Sequence, residues 1–309
     1  FSRIYNALLR HQYARLLKDF PRGLPSTGNI GSEFLLEEGI DWVAKRLPQI
    51  PQPFMGYFHF LPPHGPYNTS LQFYDHFAGD GFQPPDKPED VFTRRFSRAA
   101  LLKRRREYDE FILYVDDQFG RFFGELEASG LLDNTWLILT SDHGELNERG
   151  ISGHSTDALF EPVLRVPLLI FEPGRTSRLD VFDATSAADV LPTVASLAGQ
   201  AMPDWGEGLP LPPFAEAPAT ARSLYAVKAD KNAKLAPLEH ASLMMLKEDY
   251  KLLYSYGLKG PAAGELVRLF DIKSDPEEMN DLYTSSQAIA DELLHELKSK
   301  IQEVNQPYL

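Results

Sequence analysis

The run Trp136-Leu137-Ile138-Leu139, closed at once by Thr140-Ser141-Asp142-His143-Gly144-Glu145, constrains this chain more than any other stretch. A short run of β-branched and aromatic residues reads as a buried strand, and the Ser-Asp-His-Gly that follows reads as the loop at its C-terminal end. In open α/β sheets, ligands bind outside the carboxyl ends of the strands. Asp142 offers a hard anionic oxygen there and His143 an imidazole nitrogen, a pair suited to a divalent metal such as calcium, manganese or zinc. Two ligands do not fill a coordination shell, so the rest must come from elsewhere in the fold.

The remaining chain supplies the layers such a strand needs. Residues 1–20 read as a helix ending before Pro21, and Leu24 to Gly31 as a loop. Ser32 is placed to cap a helix over 33–47, with Phe34, Ile40, Trp42, Val43 and Leu47 as its apolar candidates. Pro53 to Leu61 is aromatic-rich and predicts a buried strand, with His59 as a core histidine, and a rigid loop follows from Pro62 to Tyr67. Residues 68–92 read as irregular. A long helix is predicted from about Thr93 to Ala128, its apolar stripe running Tyr108, Ile112, Val115, Phe119, Phe122, Leu126, with Gly130 as the stop. Strands at 135–140 and 165–171 and a short helix at 189–197 complete a pattern of alternating strands and helices. That alternation argues for an α/β fold, a mainly parallel sheet covered on both faces. Residues 200–220 are proline-rich and read as a linker. Strand candidates at 223–228, 242–247, 250–256 and 265–271, then a helix over 286–304, predict a small antiparallel α+β subdomain. The expected division is therefore 1–220 and 221–309.

Bulk properties exclude several functions. The net charge is −13 over 309 residues. It argues against a nucleic-acid or anionic-membrane surface and requires a site for an anion to build its own positive field. With no cysteine there is no disulfide, no thiolate zinc site and no thiol nucleophile. No apolar run approaches the length of a transmembrane segment. The opening Phe1-Ser2-Arg3-Ile4-Tyr5 has no initiator methionine and no signal-peptide layout, as expected of a processed piece.

Read together, several segments resemble the sulfatase family of the alkaline phosphatase superfamily. They are His59-Phe60-Leu61-Pro62-Pro63-His64-Gly65-Pro66-Tyr67, Tyr108-Asp109 through Val115-Asp116-Asp117, and Thr140 through Glu145. Gly153-His154, Glu161-Pro162, Arg165-Val166-Pro167-Leu168-Leu169, Leu191-Pro192-Thr193 and Leu269-Phe270-Asp271-Ile272 with Asp275-Pro276 follow in the family's order. The resemblance implies an alkaline-phosphatase-like fold and a metal-dependent hydrolase of small anionic sulfate esters. It makes Asp142 and His143 the second pair of metal ligands. It gives His64 the contact with the ester near the leaving oxygen, and His154 the binding of the transferring anion. Glu145 would support the metal shell through a hydrogen bond or stand as a solvated residue at a helix start. Arg165 and Glu161 are expected to pair with each other, and Lys103 to Arg106 to form a solvated face.

The family's first metal ligands, an Asp pair, and its Cys/Ser-x-Pro-x-Arg nucleophile motif have no counterpart here. Pro25-Ser26-Thr27 is the nearest segment, and it lacks the Arg. The expectation is a chain short of its N-terminal part by about 100–200 residues, judged from ordinary domain sizes. Such a chain by itself should hold metal weakly and turn over no ester. Phosphoryl transfer on the same fold, as in phosphonate or phosphodiester hydrolases and phosphoglycerol or phosphoethanolamine transferases, and a non-catalytic binding or structural relative remain the alternatives. The nucleophile segment discriminates among them. His64, Asp142, His143 and His154 are expected to converge on one cavity at the C-terminal edge of the sheet.

Overall fold

The structure is a computed structural model that describes residues 7, 11, 14–25, 35–202, 205–215, 222–230, 232–259 and 263–309. In chain order its elements are α1 (Leu36–Arg46), α2 (Arg98–Ala128), β1 (Leu137–Thr140), β2 (Leu146–Glu148), β3 (Ile151–Gly153), α3 (Glu161–Leu164), β4 (Leu168–Phe171), α4 (Val190–Leu197), β5 (Leu224–Lys228), β6 (Ala241–Lys247), β7 (Tyr250–Leu258), β8 (Gly264–Asp271) and α5 (Gln287–Asn305). The chain divides into two compact units, residues 1–84, 97–139 and 169–176 in the first and residues 85–96, 140–168 and 177–309 in the second.

The first unit is built on α1 and α2. Leu36, Ile40, Val43 and Ala44 of α1 pack with Phe111, Tyr114, Phe122 and Leu126 of α2 and with Phe20 and Phe73. Tyr114 is the polar point of that core: its hydroxyl donates to Glu37, and burial with the Glu37 carboxylate drives its ionisation far upward. β1 and β4 are neighbours in a two-stranded sheet, so the strands expected at 135–140 and 165–171 do share one sheet.

Several expectations are corrected here. Residues 53–61 form no strand and belong to none of the described sheets. Met55, Phe58 and His59 are exposed, and Tyr57 is 79% exposed, so His59 is not a core histidine. Apolar and aromatic character makes a segment competent for a strand, but a strand exists only through its ladder partners. In α1, Trp42 faces solvent. In α2, the buried line runs Phe111, Tyr114, Gln118, Phe122, Leu126 while Ile112 is exposed. The stripe is thus rotated from the predicted one, because side chains three and four apart select one helix face and the rest of the core decides which face that is. Residues 93–97 stay out of the helix. The backbone N–H groups of Arg94 and Phe96 donate to Gly150 O, and Ser97 caps the helix by accepting from Ala100 N. The expected helix over 1–20 is described only as a short 3-10 turn at Ala14–Asp19 and at isolated residues. Ser26, Thr27, Ser32 and Phe34 lie outside the described residues.

The second unit is a four-stranded antiparallel sheet, β5-β6-β7-β8, with something packed on each face. Along its strands alternate residues face opposite ways. Leu243, Met245, Leu252, Tyr254 and Leu269 meet Ala290, Leu293 and Leu297 of α5. Met244, Leu253 and Phe270 meet Leu146, Ile151, Phe160 and Val163. The second group carries the β2–β3 hairpin and α3, which hold the candidate site. The four strands and the terminal helix lie where the sequence predicts them. Of the run expected to be a solvated face, Lys103 and Arg104 are exposed, while Arg105 and Arg106 are half-buried. Glu161, however, is engaged by Lys251 at 2.7 Å, while Arg165 is exposed. No helix among the described residues is long and apolar enough to cross a membrane.

Candidate active site

The loop after β1 is short and tied down at every residue. Thr140 Oγ1 donates to Pro167 O at 2.9 Å, and Ser141 Oγ to His143 O at 2.7 Å. Asp142 Oδ1 accepts from His143 N at 3.0 Å. Gly144 N donates to Val163 O at 2.8 Å, and a Cβ at Gly144 would collide with Pro162 O, so only glycine fits against α3. The Asp142 carboxylate is left 60% exposed, with Oδ2 3.7 Å from His143 Nε2. His143 Nδ1 lies 3.0 Å from Gly144 O. With the ring hydrogen directed at that carbonyl, the lone pair of the neutral ring is on Nε2. One carboxylate and one oriented imidazole on a fixed loop fit a divalent ion.

The hairpin brings in two more groups. β2 and β3 pair antiparallel with Leu146 opposite Gly153, and Arg149 and Gly150 make the turn, both with positive φ. A two-residue connection with both φ values positive matches the twist of paired strands. Extending the register by one residue sets Glu145 opposite His154. Their side chains meet there, with His154 Nδ1 2.7 Å from Glu145 Oε1. The His154 ring stacks on His143, centroids 3.9 Å apart and planes at 27°. Glu145 is thus not a solvated residue: it is buried and bonded to His154. Sequence reasoning missed the hairpin. Its signal was the Arg149-Gly150 turn between two three-residue segments, too short for an alternation pattern to stand out.

Asp142, His143 and His154 therefore come together within the second unit. His64 is in the first unit, exposed in the Pro62–Tyr67 turn, with its N donating to Leu61 O at 2.8 Å and Nδ1 2.7 Å from Gly65 O. The turn is anchored by Asn68 Nδ2 to Leu24 O and by Thr69 Oγ1 to Glu110 O.

The Asp-His loop thus faces a hairpin-held histidine. Comparison with known proteins gives the family. The Sulfatase family profile matches residues 4–200, and the profile for the N-sulphoglucosamine sulphohydrolase C-terminal region matches residues 154–307. The chain belongs to the sulfatase family. Choline-sulfatase of Rhizobium meliloti is 29% identical over 244 residues, 72% of this chain and 45% of that protein. A sulfatase-fold structure solved with its substrate D-glucosamine-2-N,6-O-disulfate aligns with a TM-score of 0.64 at 20% identity, covering 88% of this chain and 71% of its own. Phosphonate monoester hydrolase of Agrobacterium radiobacter aligns with a TM-score of 0.62 at 20% identity, over 86% of this chain and 60% of its own. These structural likenesses establish the alkaline-phosphatase-like fold. The chain spans about half the length of the curated relatives it matches. Members of the sulfatase family are generally divalent-metal dependent.

Proposed function

We propose that this chain carries part of the catalytic centre of a metal-dependent sulfate-ester hydrolase. The observation that supports it best is the meeting of Asp142, His143 and the Glu145-held His154 at one end of the hairpin in a chain of sulfatase ancestry. In this reading Asp142 and His143 hold one side of a divalent ion, which polarises the sulfuryl oxygens. His154 binds the transferring anion. To His64 the motif assigns the proton transfer that an imidazole can make to a departing alkoxide. In this reading the chain's motifs supply neither the activated nucleophile nor the remaining carboxylate ligands, and a cysteine nucleophile is not available within it. The mainly parallel sheet around β1 and β4, and the division into a core to residue 220 and a C-terminal subdomain, are part of the same reading.

The Asp-His pair serves phosphoryl transfer as well as sulfate hydrolysis, so the test must include both. A form of the protein carrying the nucleophile segment should hydrolyse an aryl sulfate faster than an aryl phosphate or phosphodiester, and lose activity to a chelator. His64→Ala and His154→Ala should each lower kcat/KM by about 10²–10⁴, the usual contribution of a positioned acid or anion ligand. The 309-residue chain alone should show no turnover above background. A faster phosphodiester rate would transfer the assignment to the phosphoryl branch, and no turnover of any ester by the longer form would favour a binding role.

A further inference from the structure

His143, Glu145 and His154 each bring one ligand-capable atom to within 4.8 Å of the other two. Two imidazoles and a carboxylate are a donor set that zinc takes with three protein ligands and one open position. The Glu145 side chain is 6% exposed, and only its Oε1 is bonded, while Oε2 is buried without a hydrogen-bond partner. A buried carboxylate oxygen with no donor is costly, and it is the usual mark of a missing ion or water. His143 has its lone pair on Nε2, because Nδ1 faces Gly144 O.

We propose that His143, Glu145 and His154 form a site for a borderline divalent ion of the zinc type. It draws on His143 Nε2, the same nitrogen that the Asp142–His143 pair offers to a hard ion, so the two ions compete for that ring. On binding, the ion takes the place of the hydrogen that His154 shares with Glu145, and the proton leaves to solvent. Calcium, which seeks six to eight oxygens, finds one carboxylate here and is excluded. Asp142 does not belong to the set. The inference does not depend on the hydrolase reading, although an ion held here occupies the ring which that reading gives to the ester anion.

The test is calorimetric titration of the full chain with zinc chloride and, separately, calcium chloride. One zinc per chain is expected, with no comparable calcium binding. Glu145→Gln, which keeps the size of the side chain and an acceptor for His154, should weaken zinc by at least about tenfold, as should His154→Ala, while Asp142→Ala should change it by less than about threefold. Zinc should also raise the Tm of the unaltered chain, a readout independent of any variant's folding. Three results would overturn the site: no stoichiometric zinc binding, a loss confined to Asp142→Ala, or unchanged affinity in Glu145→Gln and His154→Ala. The last would place zinc on other members of the eight histidines.

Discussion

Replacing Lys251 by methionine is expected to lower the unfolding free energy by about 3–5 kcal/mol, the cost of stranding buried charge when one partner of an ion pair is removed. Lys251 sits in β7 with 0% exposure, its Nζ 2.7 Å from Glu161 Oε1 and 2.8 Å from Glu278 Oε1. Glu278 is 1% exposed. Burial pushes its carboxyl upward, and the Lys251 ammonium opposes that shift. Its other oxygen accepts from Glu161 N at 2.8 Å, at the start of α3. Without the cation, two carboxylates face each other across that helix start. Adding Glu278→Gln to Lys251→Met removes the more buried of them and should recover at least half of the loss, since apolar or neutral replacement of a whole buried pair is often tolerated. Urea denaturation of the unaltered chain and the two variants decides it. A single-variant loss below about 1 kcal/mol would mean that water reaches the cluster and screens it.

The second large effect is expected at Gly144. Gly144→Ala places a methyl group against the Pro162 carbonyl, a backbone atom that cannot swing aside. Either α3 or the Asp142–Gly144 loop must move. Overpacking of this kind costs about 1–3 kcal/mol. Because His143 Nδ1 is oriented by Gly144 O, the same shift should weaken metal binding through His143 by at least about tenfold. Gly120→Ala is the control: it lies in α2 with nothing within 4 Å of a new Cβ, and should be neutral or slightly stabilising, by up to about 1 kcal/mol. Equal affinities in the two variants would show that the loop is not held by α3. The two predictions are linked, since Lys251 fixes the helix on which Gly144 rests.

The antiparallel sheet and its closing helix were legible because their signals are local. Turn residues separate β5 to β8, and the spacing of Ala290, Leu293 and Leu297 marks one face of α5. The family likeness was legible for a related reason: Asp142-His143, His64 and His154 stand in short motifs whose order survives without any contact being known. What failed was burial. Tyr57 and Trp42 are aromatic in segments that otherwise read as core, and both are exposed. Residue type states what burial would gain, not whether a neighbour is present to provide it.

By itself, then, the sequence determined which segments can be strands and helices and which residue types reach the loop after β1. The tertiary structure decided the pairings. Glu145 and His154 meet because a two-residue turn sets the hairpin register, and a shift of one residue would point one of them to the other face. Lys251 finds Glu161 and Glu278 only because the sheet's face opposite α5 is covered by the hairpin and α3, across separations of 90 and 27 residues. Charges buried that far apart in the chain leave no periodic trace. Their partners are chosen by the desolvation penalty of the folded interior, which does not exist until the layers have closed.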